Sequence, residues 1–184
     1  MRFITILLLF FSIPSIADDV FVHEQTLLNF PAQLANMKRE EITEYPDPSA
    51  GISINYRATD GTLATVFIYN RGLQSIPSGG ESELIKNEMI EVIRSIKYLE
   101  SQGVYSDLHI LGGEPIALSK SSDIKWSRVA FVGSAKSNLI VSRIYITSIK
   151  NNFIKIRLTT PDGESKYVDS FPEAIGDLVA NAEK

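Results

Sequence analysis

The chain carries two histidines, His23 and His109, and no cysteine. Without thiols it has no thiol nucleophile, no disulfide and no cysteine-held zinc or iron–sulfur site. With two imidazoles it cannot build a three-histidine metal centre. Asp18, Asp19 and Glu24 lie near His23, and imidazole with carboxylates can bind zinc or copper. Neither histidine has a partner at the spacing of a helical metal motif, however, so no metal or cofactor is expected. His109 falls in a stretch of mixed polarity and reads as a half-buried or surface histidine. Ser122 to Lys125 matches Ser-x-x-Lys, the spacing of penicillin-recognising enzymes. Neither a presenting helix nor a Lys-Thr-Gly element accompanies it, and a polar turn explains the same residues. No Gly-x-Ser-x-Gly elbow occurs. The pairs Gly79-Gly80 and Gly112-Gly113 lack the spacing of dinucleotide or phosphate loops. The acidic groups Glu40-Glu41 and Glu81/Glu83 have no glycosidase pattern around them. An enzymatic reading, as a small exported hydrolase, would have to draw on dispersed residues such as His109, Ser122 and Glu114.

The positive signal is cationic. Arg128, Arg143, Lys155 and Arg157 fall on consecutive predicted strands, with Trp126 and Tyr145 beside them. If all six shared one sheet face, they would receive an anionic ligand or an acidic envelope protein. An ordinary solvated face, balanced by helix carboxylates, is the competing reading.

The elements that must position these groups follow from periodicity. Asn36 to Tyr45 is a polar first strand, expected at an edge. Gly51 to Ala58 alternates Ile52, Ile54 and Tyr56 with Ser53, Asn55 and Arg57, the pattern of a half-buried strand. Asp60-Gly61 then makes a hairpin turn into Leu63–Asn70, which is apolar on both faces and therefore central. After a loop over 71–80, Ser82 caps a helix over 84–102. Its stripe is Ile85, Met89, Val92, Ile96 and Leu99, and Gly103 ends it. Strands are expected over 104–111, continuing over 116–118, then over 125–133, 139–147 and 153–159. A second helical stripe, Val168, Phe171, Ile175, Leu178 and Val179, runs within 165–182, with Pro172 as a kink or a start. Short turns between successive strands imply antiparallel pairing. The fold class is α+β: a mainly antiparallel sheet flanked by a long central helix and a C-terminal helix.

Residues 1–17 read as an address. Arg2 precedes an apolar run from Phe3 to Phe11, then Pro14, then Ser15-Ile16-Ala17 with small residues at −3 and −1. This is the layout of a secretory signal peptide cleaved after Ala17. Its apolar run is too short to span a bilayer, and without cysteine it cannot be a lipoprotein signal. The expected product is a single domain, 18–184, in the periplasm or outside the cell, with no membrane span after cleavage. Removing Arg2 leaves 17 basic against 22 acidic residues, a net charge of −5. That balance argues against nucleic-acid binding.

The hairpin over 51–70, the helix over 82–102, the strands over 125–159 and the closing helix resemble the layout of the PsbP/Mog1-like proteins. The resemblance implies an antiparallel sheet flanked by helices and a non-enzymatic accessory or interaction role. It rests on element order, so it assigns no functional residue.

Overall fold

A computed structural model describes residues 19–161 and 163–184. The signal-peptide reading and its cleavage site lie outside the described residues, as does Asp162. The chain is α+β and mainly sheet. A two-stranded hairpin, β1 (Phe21–His23) and β2 (Leu28–Phe30), precedes an eight-stranded antiparallel sheet. The sheet strands are β3 (Gln33–Leu34), β4 (Met37–Glu44), β5 (Ile52–Arg57), β6 (Leu63–Tyr69), β7 (Ser106–Ala117), β8 (Lys125–Ala135), β9 (Asn138–Ile149) and β10 (Asn152–Pro161). Their spatial order is β3-β4-β5-β6-β10-β9-β8-β7. After β6 the chain passes through α1 (Glu83–Ser101) to the opposite edge, then returns strand by strand until β10 pairs with β6. The apolar strand β6 is accordingly interior, flanked by β5 and β10.

The hairpins β8–β9 and β9–β10 each turn on two residues, Lys136-Ser137 and Lys150-Asn151. All four have positive φ. Turns of that kind match the right-handed twist of the strands they join, and they fix the register. Ile156 lies opposite Tyr145, and Tyr145 opposite Arg128. Register decides the face of every side chain, because successive residues of a strand point to opposite sides.

Each face has its own core. Helix α1 begins at the Ser82 cap, whose Oγ accepts from the Ile85 amide at 3.3 Å. It lays Ile85, Met89, Val92 and Ile96 over Val129, Phe131, Ile144, Ile146 and Phe153. It packs mainly on β7, β8 and β9, and also meets Tyr69 of β6 and Phe153 of β10. On the other face α2 (Tyr167–Ala182) packs Phe171, Ile175 and Val179 against Ile54, Tyr56, Val66, Ile154 and Ile156. The Tyr56 and Phe171 rings are 5.2 Å apart. Leu28 and Phe30 of the β1–β2 hairpin extend this core. Each such fully buried side chain contributes about 1.5–3 kcal/mol relative to exposure. Pro172 neither starts nor ends α2. It lies five residues inside the helix, buried, and leaves the Val168 carbonyl without its usual amide donor. None of the described helices is long and apolar enough to cross a membrane.

Candidate functional site

The register separates the six residues read as one patch. Lys155 lies opposite Phe67 and Ile146, and Arg157 opposite Thr65 and Ile144, all on the α1 face. Arg128, Arg143 and Tyr145 project from the α2 face. Trp126 shares that face, but it is 1% exposed and belongs to the core, so no ligand at the surface can reach it. A single cationic face spanning all six residues is therefore not what folds. Two separate cationic sites form instead.

The α2-face site is built from two neighbouring rows across the sheet. One runs Gly113, Arg128, Tyr145, Ile156, and the other Leu111, Ala130, Arg143, Leu158. Each arginine has one small neighbour in its row, Gly113 beside Arg128 and Ala130 beside Arg143, and the Arg128 guanidinium lies against Gly113. The start of α2 adds Val168 and Asp169, closing a pocket of about 310 Å³. At Gly113 the close approach is measurable: a Cβ there would stand 2.7 Å from Arg128 Nε. The β7–β8 register shifts just beyond it, between Gly113 and Ile116. The Glu114 carbonyl there accepts from Arg128 Nε at 3.0 Å. Pro115 lies within this irregularity on an edge strand, where a missing amide is tolerated.

The electrostatics are unbalanced. Arg143 Nη1 is buried and has no hydrogen-bond partner, the one such side-chain atom among the described residues. Leaving a buried donor unmade costs about 1–3 kcal/mol, more when it is charged. Asp169 lines the same pocket, yet among the described residues no ion pair joins it to Arg128 or Arg143. Burial raises the Tyr145 phenol above its ordinary pKa, with Arg143 and Arg128 pulling it back down and Asp169 pushing it up. The phenol thus stays protonated at neutral pH and can donate a hydrogen bond. Two guanidinium groups and a phenol converge on one cavity, with one carboxylate at its edge.

No protein-family profile matches the chain, and no curated protein is significantly similar to it.

The remaining candidates stay apart. His109 and Glu114 are exposed on β7, while Ser122 accepts from the Ile124 amide at 3.2 Å in the following loop. Among the described residues no hydrogen bond links the three. His23 Nδ1 bonds Thr26 Oγ1 at 2.8 Å and accepts from the Thr26 amide at 3.3 Å. It ties the turn of the β1–β2 hairpin, and burial lowers its pKa. Asp19, beside it in sequence, pairs with Arg39 at 2.8 Å. No group of three or more histidines and carboxylates gathers among the described residues.

Asp169 and Val168 are the site residues that sequence reading passed over. Asp169 lies in the first turn of α2, and no local pattern ties that turn to strands β8 and β9. Gly113 was visible as a glycine, but its role depends on the arginine opposite. This yields a paired expectation. Gly113→Ala must displace the Arg128 guanidinium, weakening anion binding at this pocket by about tenfold with little change in melting temperature. Gly112→Ala meets nothing within 4 Å and should change neither. Calorimetric titration with inorganic phosphate, together with thermal melts, checks both.

Proposed function

We propose that the chain is an exported, non-catalytic binding or accessory module whose α2-face pocket takes an anionic group from a ligand or from an envelope protein. A carboxylate or phosphate fits the donor set: guanidinium groups bind such oxyanions through parallel hydrogen bonds, and Tyr145 supplies a third donor. The observation that carries the reading is the buried, unpartnered Nη1 of Arg143. An oxyanion in the pocket meets the accessible part of this guanidinium and supplies an acceptor that the protein's own side chains do not. The pocket pairs no nucleophile with a base, as an enzyme site of the dispersed-hydrolase kind would require. The leader pattern over 1–17 supports export. The sheet, flanked by a long central helix, α1, and a C-terminal helix, α2, serves as a rigid platform in this reading. Its element order, which resembles that of the PsbP/Mog1-like proteins, accords with an accessory role.

Titration with inorganic phosphate and with succinate tests this reading. Saturable binding at one site, weakening as sodium chloride rises, is expected. Choline, a cation of similar size, should not bind. Equal binding of choline, or no binding of either anion, would overturn the reading.

A further inference from the structure

The other cationic group lies beneath α1 and faces a different kind of cavity. Lys155 projects from β10 between Phe67 and Ile146. Its Nζ stands 4.4 Å from the Phe67 ring centroid and 5.1 Å from that of Tyr69. Its obvious carboxylate is already engaged. Glu88, 4% exposed on α1, accepts from Tyr69 Oη at 2.7 Å and from Arg71 Nε and Nη2 at 2.6 and 2.8 Å. Arg157 is likewise spoken for, donating to Ser142 Oγ at 3.2 Å and to Tyr105 Oη at 2.7 Å. Among the described residues the Lys155 ammonium has neither an ion pair nor a hydrogen bond. Beside it is a cavity of about 140 Å³ with an apolar side, Val92, Ile96 and Leu99 of α1 with Phe67 and Ile144, and a polar side of Arg71, Ser95 and Arg157. Its volume is close to the roughly 150 Å³ that holds benzene in a closed apolar cavity, although this one is open and polar on one side.

We propose that this cavity is a second ligand site, for a small monocarboxylic acid bearing an apolar group of about benzene size. The carboxylate meets Lys155 Nζ, and the apolar part fills the space under Val92, Ile96 and Leu99. The apolar side of the wall, Phe67, Val92, Ile96, Leu99 and Ile144, favours a carboxylate that carries an apolar group, which separates this site from the α2-face pocket.

The charge on Lys155 makes the site pH-dependent. The groups facing it are Glu88 on α1, Arg71 after β6, Arg157 on β10 and Tyr69 on β6, with Tyr45 and Asp47 across the outer mouth. Burial pushes the Lys155 amine down to about 8, with Arg71 and Arg157 also lowering it and Glu88 opposing. Asp47 stays ionised, its pKa held down by the hydrogen bond from the Ser49 amide. Arg71, raised by its hydrogen bonds to Glu88, stays charged, and Tyr69, raised by burial, stays protonated. Lys155 is therefore the group whose charge changes between neutral and mildly alkaline pH. A bound carboxylate favours the ammonium form, so above pH 8 binding must take up a proton. Affinity is flat below pH 7 and falls toward tenfold per unit above 8.

Benzoate, with benzyl alcohol as its uncharged match, tests this by methyl-resolved NMR titration of the protein at pH 6.5 and 9.5. Benzoate should shift the methyl signals of Val92, Ile96, Leu99 and Ile144. It should bind about 30-fold more weakly at pH 9.5, from the 1.5 units above the amine's pKa. Lys155→Met keeps the apolar stem and should lose benzoate at least tenfold while retaining benzyl alcohol. Val92→Phe, which fills the cavity and leaves every charge in place, should block both. Shifts confined to Leu111 and Val168 would place benzoate in the α2-face pocket and overturn the proposal. So would benzoate affinity unchanged by pH or by Lys155→Met, or no binding of benzoate at all.

Discussion

Arg143→Met should sharply weaken anion binding at the α2-face pocket and leave the protein as stable as before, or more so. These two effects seldom coincide. A substitution that removes a core contact lowers stability, and binding falls along with it. Arg143 is different because part of its guanidinium is buried without an acceptor. Methionine keeps the unbranched stem that packs between Ala130 and Leu158 on the flanking strands and removes the unsatisfied charge. The expected stability change runs from zero to a gain of about 1 kcal/mol. The expected binding loss is about ten- to a hundredfold, the worth of charge-assisted hydrogen bonds from one guanidinium. Denaturant melts and phosphate titration read the two quantities separately. Lys97→Met, on the exposed side of α1, removes the same charge elsewhere and should alter neither. A clear destabilisation by Arg143→Met with binding intact would mean that Arg143 is a structural residue.

Gly51→Ala should be among the most damaging single changes in the chain. Gly51 ends the short 3₁₀ turn Pro48–Ala50 and leads into β5, with φ 64° and ψ −129°. Its amide donates to the Pro48 carbonyl at 3.1 Å and its carbonyl accepts from the Tyr45 amide at 3.0 Å. A Cβ at this position would lie 1.9 Å from the Ile68 carbonyl oxygen on β6. That neighbour is backbone in an interior strand, so it cannot swing away as the Arg128 side chain can beside Gly113. An L-residue also pays about 1–3 kcal/mol for a positive-φ conformation that is essentially glycine's alone. A loss of about 3 kcal/mol or more is expected, lowering the melting temperature by about 6–12 °C for a domain of this size. Because the change lies on the β4–β5 side of the sheet, phosphate affinity of the folded fraction should be unaltered. A melting temperature within about 2 °C of the parent would show that the β4–β5 turn relaxes freely.

The sequence was most legible where a pattern is local. The alternation of Ile52, Ile54 and Tyr56, the Asp60-Gly61 turn, the heptad-like stripe of α1 and its Ser82 cap are each contained within a few residues. They emerge within one or two residues of their expected limits. The short strands β1 to β3 escaped notice because two or three residues carry no period. The hairpin β1–β2 is held by a His23–Thr26 turn and by burial under α2, neither of which composition signals.

The site was half legible, for a reason of register. Arg128, Arg143, Lys155 and Arg157 do stand on consecutive strands. Whether they share a face depends on the number of residues in each turn, since a slip of one residue exchanges the faces. The two-residue turn Lys150-Asn151 sets Arg143 opposite Leu158, and thereby sends Lys155 and Arg157 to the other side. Lys-Ser and Lys-Asn are not the Asn-Gly or Asp-Gly pairs that announce such turns. Trp126 was misplaced for a related reason. Its parity with Arg128 is right, but the end of β8 lies deep in the α2 core and the middle of the strand does not.

In the proposed role an oxyanion completes the Arg143 guanidinium in the α2-face pocket. Selenate is a tetrahedral dianion whose selenium gives an anomalous X-ray signal, so crystals grown in it test the claim directly. An anomalous peak in the pocket, placed so that selenate oxygens reach the Arg143 guanidinium, Arg128 and Tyr145, and absent from crystals of Arg143→Met, is the predicted result. A pocket with no selenium, in which Arg143 Nη1 instead bonds the Asp169 carboxylate, would contradict it.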